Sequence, residues 1–261
     1  MGCFLECCSC SAAVAMPLIK AETTTTVISS STSFTGTINA GDTLIIQNGV
    51  ILTSDGITNN RNIVNSGAIR LNGGKALGNY GIILNIGGGR AESGIVNNYF
   101  SGIIKNDVGD NDVAPGNGLV NNYGTFVSYN GIRGSYTTIN NYKTGLIGSH
   151  NLGYLYNSNL NNYGGLINGY GAITLDCCTI FNNGTINTYA GIGVRNSQSA
   201  DVIQNSAGGV FNNFAGSLIS IPSRPGGYTK ELANSGTLNN DGKISSSGLL
   251  ANPGFSTTMA Q

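Results

Sequence analysis

A short phrase recurs along this chain: an aliphatic residue, a pair of amides, often an aromatic residue, a glycine and another aliphatic residue. It reads Ile95-Val96-Asn97-Asn98-Tyr99, Leu119-Val120-Asn121-Asn122-Tyr123-Gly124, Ile139-Asn140-Asn141-Tyr142, Leu160-Asn161-Asn162-Tyr163-Gly164 and Ile180-Phe181-Asn182-Asn183-Gly184. From Asn97 to Asn182 the first amide returns every 19 to 24 residues. Looser copies lie at Ile63 to Ile69, Val210 to Phe214 and Leu232 to Leu238. A repeat of this length is too short for a helical pair, and a unit this small cannot bury its apolar face alone. It must stack on its neighbours.

The residue types exclude helices. Apolar residues come in twos and threes between Gly and Asn, both weak helix formers, with no 3.6-residue period. Stacked short strands suit them. In such a stack each strand pairs with its copy one coil away, about 4.8 Å along the axis, so the sheets are parallel. Aliphatic residues then form internal columns, and stacked Asn can form amide ladders. Corners call for Gly and Asn, the residues that enter left-handed backbone most readily. The expected fold is all-β: a single-domain right-handed parallel β-helix (a β-solenoid) of about ten coils of roughly twenty residues. Variable coil length favours the right-handed form over the strict hexapeptide left-handed form. Asn121, Asn161 and Asn182 are expected at equivalent, buried corners.

Composition agrees with a folded, uncharged rod. The 261 residues include 40 Gly and 36 Asn, yet 40% are hydrophobic and only 9% are charged, with net charge +0. Disordered chains combine low hydrophobicity with high net charge. The 12 Lys and Arg residues are scattered singly, so the cation cluster a nucleic-acid surface needs is missing. No apolar run is long enough to span a membrane as a helix.

Residues 1–29 read as a leader or N-terminal cap, 30–250 as the solenoid and 251–261 as a C-terminal tail. The leader holds Cys3, Cys7, Cys8 and Cys10, and Ala13-Val14-Ala15 resembles a signal-peptidase site without a basic start. Met1-Gly2-Cys3 matches a lipidation signal only weakly, because Glu6 stands where Ser or Thr is expected. Cys177 and Cys178 are adjacent and so face opposite sides of a strand.

The phrases Asn39-Ala40-Gly41-Asp42-Thr43-Leu44, Asn182-Asn183-Gly184-Thr185-Ile186 and Asn234-Ser235-Gly236-Thr237-Leu238 resemble the Asn/Gly-rich repeats of surface β-helix proteins. These are the filamentous-haemagglutinin-like adhesins, autotransporter passengers and related microbial or viral surface solenoids. The resemblance covers roughly residues 30–250. It implies a non-enzymatic structural or adhesive protein at an extracellular, cell or virion surface, with a glycan or surface protein as partner.

Two candidate sites stand out. Tyr99, Tyr123, Tyr142 and Tyr163 share one repeat position and should stack along one corner, as a strip for sugar rings or as a purely structural ladder. Asp107, Asp110 and Asp112 sit in a long acidic loop whose hard oxygens would suit Ca²⁺, though without EF-hand spacing; no other cofactor is implied. The alternatives to a surface rod are a carbohydrate-active lyase or hydrolase and a fibre subunit associating end to end. Enzyme chemistry has little to draw on: 12 Asp and Glu residues, and one His, His150, with no acidic neighbour in sequence.

Overall fold

The computed structural model describes residues 23–86, 90–106, 118–129, 133–150, 153–169, 171–195, 200–223 and 229–251. The leader cysteines, the acidic residues Asp107, Asp110 and Asp112, and the tail from 252 lie outside the described residues. Within them there are strands, turns and bends and no helix.

All sheet pairing is parallel, and each strand pairs with its counterpart one coil away. A first face stacks eleven strands, from Thr25–Ile28 at one end to Thr237–Asn240 at the other. A third face also stacks eleven, from Gly36–Ile38 to Leu249–Ala251. Between them in the chain order runs a second face, a block of four strands and a block of six. Among the described residues the two blocks are separated at the level of Ile103–Asn106 and Leu119–Asn122. The eleven levels of the first and third faces give the stacked parallel β-solenoid.

Alternation within four-residue strands builds the interior. Second and fourth positions point inward, first and third outward, as in Leu119–Asn122 and Thr138–Asn141. On the third face, second positions align Leu77, Val96, Val120, Ile139, Leu160, Ile180, Ile203 and Leu232 in one column. On the first face, Leu44, Ile63, Ile83, Ile104, Phe126, Ile147, Leu166, Ile186, Phe211 and Leu238 do the same. All are buried, and each contributes about 1.5–3 kcal/mol by leaving water.

The fourth position is polar, and this explains the Asn repeat. On the third face it is Asn59, Asn79, Asn98, Asn122, Asn141, Asn162, Asn182, Asn205 and Asn234, all buried. Each Nδ2 donates to the Oδ1 of the next, at 2.6–2.8 Å, without a break from Asn59 to Asn234. The same Nδ2 groups also reach backbone carbonyls at and beside the corner. Asn122 bonds Gly124 O at 3.1 Å and Leu146 O at 3.2 Å. Asn141 bonds Gly145 O at 3.2 Å and Gly165 O at 2.9 Å. Gly124 O and Gly145 O also accept the N–H groups of Leu146 and Gly165, so at these turns the Asn amide adds a second bond to a carbonyl that has two lone pairs.

Two expectations are corrected here. Asn182 belongs to the buried ladder, whereas Asn121 and Asn161 belong to a second, half-buried outer ladder with Asn97 and Asn140. The inner residue is the second Asn of the earlier pairs, because it is the one at the inward fourth position. The corner glycines of the repeat also have a different cause from the one expected. A Cβ at Gly124 would lie 2.3 Å from the carbonyl oxygens of Gly102 and Tyr99, and at Gly164 equally close to those of Gly145 and Tyr142. Close stacking of corner on corner requires glycine there, and left-handed backbone is not the reason. Left-handed backbone does occur at other turn glycines, Gly41, Gly49, Gly74 and Gly216 among them, and at Tyr136, Asn157 and Cys177, equivalent residues at successive levels of the corner that leads into the third face.

Candidate functional site

The corner leaving the third face carries the expected tyrosines. Each follows an inner Asn, and its N–H bonds the carbonyl of the Asn one level below: Tyr99 to Asn79, Tyr123 to Asn98, Tyr142 to Asn122 and Tyr163 to Asn141. The sequence reading missed Tyr80, which starts the column and donates to Asn59 O at 2.8 Å. Its phrase, Asn79-Tyr80-Gly81, lacks the second Asn and so escaped the pattern. Tyr80 and Tyr99 stack with centroids 4.1 Å apart and planes 11° apart; Tyr123 and Tyr142 stack at 4.1 Å and 2°. Tyr163 stands 6.5 Å from Tyr142 and leans on Phe181. Tyr99, Tyr123 and Tyr142 are half-buried and Tyr163 is 40% exposed.

In the pairs Tyr80–Tyr99 and Tyr123–Tyr142 this stacking uses one face of each ring. A sugar cannot enter between rings 4.1 Å apart, which is already contact distance for carbon. Neighbouring phenols also shift one another's titration. The Tyr80 phenol pushes Tyr99 up, helped by burial, while burial first and then Tyr142 push Tyr123 up.

The opposite side of the first face carries a second column that the sequence reading did not assemble. The residue after each first-face strand turns this corner, and in register these are Tyr129, His150, Gly169, Tyr189 and Phe214. Tyr129 and His150 meet at 5.4 Å, tilted by 58°, and Lys105 Nζ lies 5.4 Å from the Tyr129 ring centre. Tyr189 stacks on Phe214 at 4.4 Å and 6°. Between the pairs lies Gly169, and around it opens a cleft of about 840 Å³ lined by Val127, Tyr129, Leu146, His150, Tyr189 and Ala190, among others. The signal existed in the sequence: Ser128-Tyr129, Ser149-His150, Thr188-Tyr189 and Asn213-Phe214 each close a strand with a small polar residue and a ring. His150, read as a plain loop residue, is part of this wall.

Two polar clusters lie elsewhere on the solenoid. On the second face Asp176, nearly buried, accepts from the Tyr154 hydroxyl at 3.2 Å and from Arg195 Nη1 at 3.3 Å. Hydrogen bonding to Tyr154 and the charge of Asp176 raise Arg195, and burial raises Tyr154. Inside the corner entering the third face, Lys230 and Asp201 form a fully buried ion pair, and Asp201 Oδ1 also accepts the Cys178 N–H at 2.8 Å. Burial pushes the Cys178 thiol up to about 11, which makes it a poor nucleophile. Among the described residues no group of three His, Cys, Asp or Glu side chains is placed to hold a metal ion. No helix among them is long and apolar enough to cross a membrane.

No family model matches the chain, and no curated protein or solved structure is significantly similar to it.

Proposed function

We propose that the chain is a non-enzymatic structural or adhesive rod working at an extracellular, cell or virion surface. The observation that carries this reading is the unbroken ladder from Asn59 to Asn234, which ties level to level through buried side chains as well as through the sheets. Such a rod resists bending between levels and holds its surface groups at fixed spacing, as a spacer or an adhesive requires. Outer amides and hydroxyls dress it in place of charge, as Asn187, Asn212 and Asn239 do on the first face.

Adhesion is tested with latex beads coated with purified chain and washed over cell monolayers. Retention of coated beads, and loss of retention after heat denaturation, is the expected result. Equal retention of beads coated with an unrelated protein counts against it. The lyase or hydrolase alternative is checked by incubating the chain with polysaccharides: release of reducing or unsaturated ends, abolished by Asp176→Asn, would replace the rod reading.

End-to-end association is a second reading, favoured by Leu249 and Leu250, each 43% exposed on the last described strand. Concentration-dependent growth in light scattering, suppressed by Leu250→Lys, would support it. Size independent of concentration would remove it.

A further inference from the structure

The second aromatic column is regular except at one level. Backbone bonds keep its members in step: Tyr129 N–H to Asn106 O, His150 N–H to Ser128 O, Gly169 N–H to Ser149 O and Phe214 N–H to Thr188 O. Reading upward, the side chains are ring, ring, none, ring, ring. Above the gap Tyr189 uses one face on Phe214 and is 52% exposed. Below it stands the His150 imidazole, whose Nδ1 would lie 3.8 Å from a Cβ placed on Gly169. The gap thus has an aromatic wall on each side and a glycine at its back.

Its height selects a ligand. His150 and Tyr189 are two levels apart, about 9.6 Å at one strand spacing per level. A ring inserted midway stands about 4.8 Å from each wall, more than the roughly 3.5–4.0 Å contact of flat carbon rings. A flat base would leave a void. A puckered saturated ring with axial C–H groups fills it, setting an apolar face on Tyr189 while its hydroxyls point outward. The cleft continues beyond the gap over Val127, Leu146 and Gly148. At Gly148 an added Cβ would meet only the Val127 methyls, at 3.6 and 3.8 Å, so the floor is low there. The cleft's volume of about 840 Å³ exceeds one ring.

We infer that this cleft is a glycan-binding site, in which one pyranose ring occupies the level of Gly169 between His150 and Tyr189 and adjoining sugars run along the first face. The inference deepens the adhesive reading by naming its ligand class and its place. It also places the sugar site at the corner where a whole level lacks a ring, in preference to the Tyr99–Tyr163 corner, where the rings of the Tyr80–Tyr99 and Tyr123–Tyr142 pairs stand 4.1 Å apart with no room between them.

The test uses the full chain on a printed array of neutral oligosaccharides, with adenosine in saturation-transfer NMR as the flat-ring control. Array binding is expected, together with at least about tenfold weaker binding for Gly169→Tyr, which completes the column, and for Tyr189→Ala. Should Gly169→Tyr unfold the chain, Tyr189→Ala carries the test alone. No array binding, transfer to adenosine without array binding, undiminished binding by Tyr189→Ala, or loss on Tyr123→Ala without loss on Tyr189→Ala would each overturn it. Failure here is separable from failure of the adhesive reading. Beads that adhere without glycan binding remove only this site, and glycan binding by beads that do not adhere removes only the adhesive role.

Discussion

At the scale of single residues, burial decides which of two adjacent amides matters. Asn141 Oδ1 accepts from Asn122, and its Nδ2 serves Asn162 and two backbone carbonyls. Asn140 bonds only along the half-buried outer ladder, where water can take its place. Asn141→Ala should therefore cost about 1–3 kcal/mol by stranding the buried Asn162 Oδ1, which accepts from Asn141, and Asn140→Ala less than about 1 kcal/mol. Urea titration of both variants reads the difference; equal costs would mean that the inner ladder is not special. The Lys230–Asp201 pair obeys the same rule with charges. Lys230→Met leaves a buried carboxylate alone and should cost about 3–5 kcal/mol. Adding Asp201→Asn should recover most of that loss in the same titration, since the amide oxygen can still accept the Cys178 N–H.

At the scale of the element, the Tyr80–Tyr163 column behaves as a structural device with a pH limit. Tyr99 and Tyr123 have their phenols raised in the folded chain, so the fold favours the neutral form. The unfolded chain releases these protons near pH 10. Their stabilising contribution is complete below that pH and disappears as pH climbs through the higher folded values. Melting temperature should thus fall as pH climbs above 10, and fall less steeply in Tyr142→Phe, which removes one phenol that raises Tyr123. Replacing Tyr123 and Tyr142 together by Ala should lower the melting temperature at neutral pH, since each stacked pair contributes about 0.5–1.5 kcal/mol beyond its buried area. An unchanged melting temperature would return the column to the status of a pure binding strip. The sequence displayed this element because one phrase repeats its residue types. The Tyr129–Phe214 column was less legible: its members share only a small polar residue before the ring, and the informative residue, Gly169, has no side chain. Likewise, counting amides could locate the ladder but could not say which Asn faces inward. Strand parity decides that, and parity depends on where each corner ends.

At the scale of the whole molecule, sheet pairing joins each level only to the level before and the level after it, so stability is close to a sum of nearest-neighbour terms. Alternating residues and parallel pairing made this architecture readable from the repeat. Nearest-neighbour stacking makes a whole coil removable. Asn141 and Asn162 are equivalent and 21 residues apart. Deleting 142–162 joins Asn141 to Tyr163-Gly164 and recreates the repeat phrase at the junction. The inner ladder then passes from Asn141 to Asn182, the first face from Thr125–Ser128 to Gly165–Asn168, and every inward column keeps its parity. The shortened chain should retain a β-rich circular dichroism spectrum and a cooperative melt; an unfolded product would show that levels communicate beyond their neighbours. The same deletion tests the cleft, because it removes His150 and brings Tyr129 under Gly169 as the lower wall. The gap keeps its height and both aromatic walls. Oligosaccharide binding on the array should therefore survive within about tenfold, while Tyr189→Ala in the shortened chain should still abolish it.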